Sequence, residues 1–162
     1  MIIQNSVKPF TVEYSYVEMT QMVMPQSTNA LGTVFGGQIM SWIDICAAVS
    51  AGRHSASVVV TASFDEVHFI CPIKHGDVVI LKSQVNAVFN TSMEVETLII
   101  AENIITQEKT LAAKARSTFV AIDENGKPKK CPVLLNLTDE QKVIQEQAKE
   151  RRRIRLLYRQ KD

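Results

Sequence analysis

One carboxylate stands inside a stretch with almost nothing else polar. From residue 38 up to Arg53 the polar side chains are Gln38, Ser41, Asp44 and Ser50, and Asp44 is flanked by Trp42, Ile43, Ile45 and Ala47. Burying an aspartate without a partner is costly, so this one needs either a hydrogen-bonding structure or a chemical task. Desolvation raises a carboxyl pKa and makes it a better base, which suits Asp44 to work as a general base or nucleophile. Just ahead stands the pair Gly36-Gly37. A helix that begins there leaves backbone N–H groups free, and with the helix dipole they can take up negative charge on an oxygen. Glycines also let a ligand approach the backbone closely. Each feature has a plainer reading when taken alone: Asp44 as a structural acid held by backbone groups, the glycines as a helix start, and Asn29 as a turn residue. Cys46 could pass for a nucleophile, but a buried cysteine in an apolar helix is ordinarily inert packing.

These residues need a frame. Residues 38–53 have helical length, and Gly52 lies where such a helix often stops. Because the segment is apolar nearly all round, it must be buried on most sides, most simply by a sheet wrapped around it. Residues 11–23 read as a first strand ended by Pro25, and 26–37 as the loop into the helix. After His54 the pattern alternates. Residues 57–69 put Val58, Val60, Ala62 and Phe64 on one face, with a bulge or bend near Asp65; strands at 77–89, 92–105 and 109–122 follow. The inner row of the last, Leu111, Ala113, Ala115, Ser117, Phe119 and Ala121, is full of small residues, as a sheet pressed against a helix requires. Consecutive strands joined by short turns imply an antiparallel meander. The fold class is therefore α+β: a long antiparallel sheet around one central helix, over 11–135. Residues 136–162 form a basic tail, helical from Thr138 to about residue 158, with Thr138 and Gln141 as a capping box. Residues 1–10 read as a loose terminus.

At 162 residues the chain has the size of one domain, and its net charge of +1 gives no reason to expect nucleic acid. Three widely spaced cysteines, Cys46, Cys71 and Cys131, form neither a disulfide framework nor a metal or redox pair. That spacing, with no signal-peptide pattern at the start and no membrane-length apolar run, points to the cytoplasm and away from a membrane. The absence of a G-x-S-x-G elbow disfavours a serine esterase of the α/β-hydrolase type. The lone F-G-G lacks the context of a dinucleotide site.

In its motifs the chain resembles the hotdog-fold acyl-CoA thioesterase family, which includes small bacterial acyl-CoA hydrolases and cytosolic long-chain acyl-CoA hydrolases of animals. The resemblance runs from about Thr20 to Pro132. It rests on N-A-L-G-T-V-F-G-G-Q-I-M-S-W-I-D (29–44), A-A-V-S-A-G-R-H (47–54), F-x-x-P-I-x-x-G-D (69–77), N-T-S-M-E-V (90–95) and F-V-A-I-D-E-N-G-K-P (119–128). His68 and His75 depart from the family pattern and carry no assigned role. The resemblance implies hydrolysis of acyl-CoA to free acid and CoA, with no metal and no cofactor beyond the CoA of the substrate. Asp44 would be general base or nucleophile, Asn29 would hold the water or thioester, and the Gly36 and Gly37 amides would face the oxyanion. It places Thr91 and Ser92 beside bound CoA. A sharper reading has basic residues including Arg53, Lys129 and Arg152 meet its phosphates, but a solvated helix face is the favoured reading of the tail. Subunits would pair edge to edge, so that Asn29 and Asp44 of one site come from different chains of a dimer, assembled as a trimer of dimers. A non-catalytic acyl-CoA-binding or sensing protein is the alternative. A hotdog dehydratase fits less well, because the helix body carries Asp44 and no histidine. His54, at the helix end, reads as capping carbonyls or solvated.

Overall fold

The computed structural model describes residues 9–135 and 138–159. The first element departs from expectation. Instead of one strand over 11–23, the chain makes a single helical turn, α1 (Val12–Ser15), capped when Thr11 Oγ1 accepts from Tyr14 N, and then a strand, β1 (Val17–Met22). The β-forming residues of the first half are overridden because Val12 and Ser15 are buried beneath the chain's own core. The long helix α2 (Gly36–Ser55) begins at the glycine pair and runs through Gly52 to Ala56, which takes the left-handed conformation at φ 49° and closes the last turn. Four strands follow: β2 (Val58–Phe69), β3 (Val78–Val88), β4 (Ser92–Glu102) and β5 (Lys109–Ile122). The last helix, α3 (Asp139–Arg159), opens on the expected capping box, with Gln141 N donating to Thr138 Oγ1 and Thr138 N to Gln141 Oε1.

All strand pairs are antiparallel, but the order is β1-β3-β4-β5-β2. Only β3-β4-β5 form the expected meander. β2 crosses to the far edge beside β5, so that β1 and β2 are the two edges of the sheet. Helix α2 divides the core. Ile39, Trp42, Ile43 and Cys46 pack with Val79, Leu81, Ile99, Ala113 and Ala115, while Ala47 and Ala51 pack with Val85, Met93, Val95, Phe119 and Ala121. The alanines of β5 let the helix approach closely, as their spacing predicts.

The alternation in β2 is interrupted twice, between Thr61 and Ser63 and between Phe64 and Glu66. The first bulge reverses the face: Val58 and Val60 are exposed while Phe64 packs on the core, so the four residues expected on one face do not share it. Helix α2 is likewise not covered all round. Met40, Ile45 and Val49 remain exposed on one stripe, beside the open edge of β2.

His54 neither caps the helix nor meets solvent. It is fully buried, its Nε2 bonds the Pro132 carbonyl at 3.0 Å, and Phe10 meets it edge-on. Burial pushes its pKa below the usual 6.5. The unfolded chain therefore binds the proton more readily, so His54's contribution is complete above about pH 6.5 and is lost as pH falls towards the folded-state value. The expected outcome is a melting temperature that declines below pH 6.5 in the native chain, and a shallower decline in His54→Gln, measured by thermal denaturation across pH.

Candidate active site

Asp44 lies near the middle of α2 on its open stripe. It is half-buried, and Thr61 Oγ1 on β2 donates to its Oδ1 at 2.6 Å. The bond turns one lone pair of the carboxylate towards the sheet. Thr61 shares the helix-facing side of β2 with Val59, which packs on the core, while Val58 and Val60 point outward. Thr61 was not legible as a site residue: in sequence it is one threonine in a valine- and serine-rich strand, and only helix-to-strand proximity gives it a partner.

At the start of α2, Phe35 occupies the cap position without a side-chain cap, and the first intrahelical donors are Gln38 N and Ile39 N, both to Phe35 O. Among the described residues the N–H groups of Gly36 and Gly37 have no acceptor, and both glycines are exposed. They therefore offer two adjacent donors with the positive end of a 20-residue helix behind them. Asn29 organises the loop ahead of them. Its Oδ1 accepts from Leu31 N at 2.9 Å and its Nδ2 donates to Thr33 Oγ1 at 3.0 Å. No hydrogen bond joins Asn29 to Asp44 within the chain among the described residues, so a single chain does not assemble the two side chains into one constellation.

Four of the expected CoA contacts gather at one end of the sheet. Ala121 N donates to Thr91 O, Lys129 N donates to Ala121 O, and Cys131 N donates to Asn90 O, which stitches the 127–131 segment against the turn holding Thr91 and Ser92. Arg152 of α3 stacks 4.2 Å above the Phe89 ring beside that turn. Arg53 is elsewhere, donating from Nη1 to Tyr16 O. The register connects this end to the acid. Thr61 pairs with Phe119, which pairs with Met93 next to Ser92. Two strand spacings, about 10 Å, thus separate Thr61 from Met93.

The basic tail is not simply solvated. Arg151 forms a bidentate pair with Glu94, at 2.6 and 3.1 Å, and Arg155 pairs with Asp65, which also accepts from Ser63 and Thr118. These arginines clamp α3 to the outer face of the sheet. They are already engaged with carboxylates, whereas Arg152 has no carboxylate partner among the described residues. Cys46 is buried, and burial raises its thiol pKa, which agrees with inert packing. Among the described residues no group of three or more His, Cys, Asp or Glu side chains is arranged to hold a metal. No helix among them is long and apolar enough to cross a membrane.

Comparison with known proteins agrees with this architecture. The model of the thioesterase superfamily matches residues 31–107. The chain is 44% identical over 137 residues to the uncharacterized acyl-CoA thioester hydrolase YkhA of Bacillus subtilis, covering 85% of this chain and 80% of that one. It is 42% identical over 142 residues to acyl-coenzyme A thioesterase 11 of Mus musculus, where it covers 88% of this chain but spans only 24% of the relative's length. Among solved structures, an apo-hexameric acyl-CoA thioesterase superposes with a TM-score of 0.88 at 39% identity, covering 94% of this chain and 97% of that one. An acyl-CoA hydrolase from Staphylococcus aureus, solved with butyryl coenzyme A, coenzyme A and coenzyme A disulfide, superposes at 0.86 with 36% identity, covering 93% and 92%. Variants of that hydrolase with an aspartate, an asparagine or a threonine changed to alanine have also been solved.

Proposed function

The chain belongs to the hotdog-fold acyl-CoA thioesterase family, and from that premise we propose that it hydrolyses acyl-CoA to free acid and CoA with Asp44 as the central group. The observation that carries the reading is the Asp44 carboxylate, fixed by Thr61 on the one stripe of α2 that the fold leaves open. In the proposed reaction Asp44 removes a proton from water as the water oxygen attacks the thioester carbonyl. The carbonyl oxygen becomes an oxyanion that accepts from the free Gly36 and Gly37 amides. Collapse of the tetrahedral intermediate breaks the carbon–sulfur bond, and the departing thiolate regains the proton held by Asp44. The alternative opening, attack by the carboxylate itself to give an anhydride that water then cleaves, uses the same groups. Neither route calls on a metal or an organic cofactor.

A second copy of the chain completes the proposed site. β2 is an unpaired sheet edge beside exposed Val58, Val60, Met40, Ile45 and Val49, a surface that a monomer would leave open to aggregation. Pairing two copies along β2 covers that surface and brings the Asn29 loop and the Gly36-Gly37 amides of one chain to Asp44 of its partner. Solved variants of the S. aureus relative include an aspartate, an asparagine and a threonine changed to alanine, and Asp44, Asn29 and Thr61 are the candidates of those types here. A hexameric structural relative supports assembly of such dimers as a trimer. Thr91, Ser92, Lys129 and Arg152 form the proposed grip on CoA, with Lys129 and Arg152 supplying charge for its phosphates. The cytoplasm is the proposed location, as for relatives named cytosolic hydrolases.

Free-thiol release from a panel of acyl-CoAs tests the function. Turnover of at least one acyl-CoA is expected; a well-folded protein that binds acyl-CoA but releases no thiol would instead be the sensing protein of the alternative. Within that assay, Thr61→Val is expected to lower kcat about tenfold with little change in KM, while Thr61→Ser keeps near-native turnover, because the hydroxyl positions Asp44 and does not touch substrate. A Thr61→Val enzyme with native kcat and an unchanged pH profile would remove that role.

A further inference from the structure

Between the start of α2 and the end of β2 lies a cavity of about 400 Å³, within the range of small-molecule sites. Its wall includes Val34, Ile39, Phe69, Ile70, Cys71 and Ile73, and none of its lining side chains among the described residues is charged. The floor is rigid core: Ile73 is 1% exposed, and Val34 and Ile39 are buried. The rim is not. Phe69 and Ile70 are large apolar side chains left about half exposed. Hydrogen bonds lock the two sides together before anything binds. Ile70 N and Cys71 N both donate to Ala112 O, Val34 N donates to Ile73 O, and His75 N donates to Gly32 O. The cavity also has a fixed relation to the proposed chemistry. The Phe69 ring lies against Gly36, so close that a Cβ added to that glycine would sit 3.5 Å from Cζ. Leaving the free amide of Gly36, the next space that apolar matter can enter is bounded by Phe69.

We infer that this cavity receives the first part of the acyl chain and that Phe69 sets which chains fit. The inference rests on the proposed thioesterase reading and names the part of the substrate that the cavity selects. With the thioester oxygen on the Gly36 and Gly37 amides, an alkyl chain running into the cavity trades water for Val34, Ile39 and Ile73 and covers the exposed rim. The apolar wall offers a terminal charge no partner, so acyl groups ending in a carboxylate or amine are disfavoured against plain alkyl chains. The pre-formed wall keeps the ordering cost of binding low. Cys71 serves as a built-in reporter. It is partly accessible, whereas Cys46 and Cys131 are buried.

Two measurements test the inference. The first is the alkylation rate of Cys71 by N-ethylmaleimide, followed by mass spectrometry, with saturating CoA or with a non-hydrolysable long-chain thioether analogue of acyl-CoA. The analogue is expected to slow alkylation about tenfold and CoA to leave it unchanged. Equal rates with the analogue demonstrably bound would overturn the inference while leaving the hydrolase reading intact. The second is the chain-length profile of kcat/KM for Phe69→Ala and Phe69→Trp. The preference for long over short saturated chains is expected to rise about tenfold in the first and fall in the second, the scale by which a hydrophobic pocket discriminates a methylene or two. An unchanged profile accompanied by an altered oligomer mass would assign the Phe69 wall to a subunit contact and overturn the inference. Failure of the native protein to hydrolyse or bind any acyl-CoA would sink the functional reading first, and this one with it.

Discussion

Asp44→Ala is expected to lower acyl-CoA turnover by roughly 10²–10⁴-fold with the oligomer intact, the range over which a positioned general base acts. The fold should tolerate the change. Asp44 sits on the exposed stripe of α2, its one partner among the described residues is the Thr61 hydroxyl at 2.6 Å, and alanine is a good helix residue. Asn29→Ala is expected to give a comparable loss for a different reason, since it loosens the loop that presents the Gly36-Gly37 amides as well as removing a polar group from the site. The two variants together test the shared site. In a dimer built from one chain of each kind, one site has lost both residues and the other keeps both, if Asp44 and Asn29 of a site come from different chains. Co-expressing the two inactive variants should then restore roughly a quarter of native activity. A mixture as inactive as its parents, with mixed dimers demonstrated, would place both residues of a site in one chain. Activity that survives Asp44→Ala would discard the mechanism and keep the enzyme.

Arg151→Met should produce the largest loss of stability among surface-helix substitutions. Glu94 is 1% exposed, and Arg151 meets both of its oxygens. Removing the arginine strands a carboxylate in the interior, with Asn86 Nδ2 at 3.2 Å as its remaining donor among the described residues. Stranding one half of a buried pair costs 3–5 kcal/mol where water stays out; since Arg151 is itself partly exposed and water can follow, about 3 kcal/mol is expected here. For a chain of this size that is a fall of roughly 10 °C in melting temperature. The double variant Glu94→Gln with Arg151→Met should recover most of it, because no charge then remains unpaired. Calorimetry on the native chain and the two variants decides the matter: an Arg151→Met chain that melts at the native temperature would mean that the pair, for all its geometry, does not hold α3 in place. Arg153, exposed and paired with Glu150 along the helix surface, is the internal control and should be near neutral when replaced.

The local record of this fold was written in residue type and spacing. An apolar segment of helical length with a glycine pair at its head, three strands of alternating character, a row of alanines on β5 and a capping box at Thr138 each follow from forces between near neighbours. The start of α2, the bounds of β5 and the helical tail were accordingly legible. Family resemblance is the ground for the proposal, left open by spacing alone, that Asp44 and Asn29 serve a site as well as a helix and a turn. Long-range packing decided the rest. Val12 and Ser15 are drawn into a helical turn by the core beneath them. β2 lands beside β5, at the opposite edge of the sheet from β1. Thr61 meets Asp44, seventeen residues away in sequence, only because β2 lies against α2. Arg151 and Arg155 find Glu94 and Asp65 across the sheet, so a tail that looks like a solvated basic face is a clamp. Each of these depends on contacts between segments far apart in the chain, and no pattern within one segment encodes where the other will be.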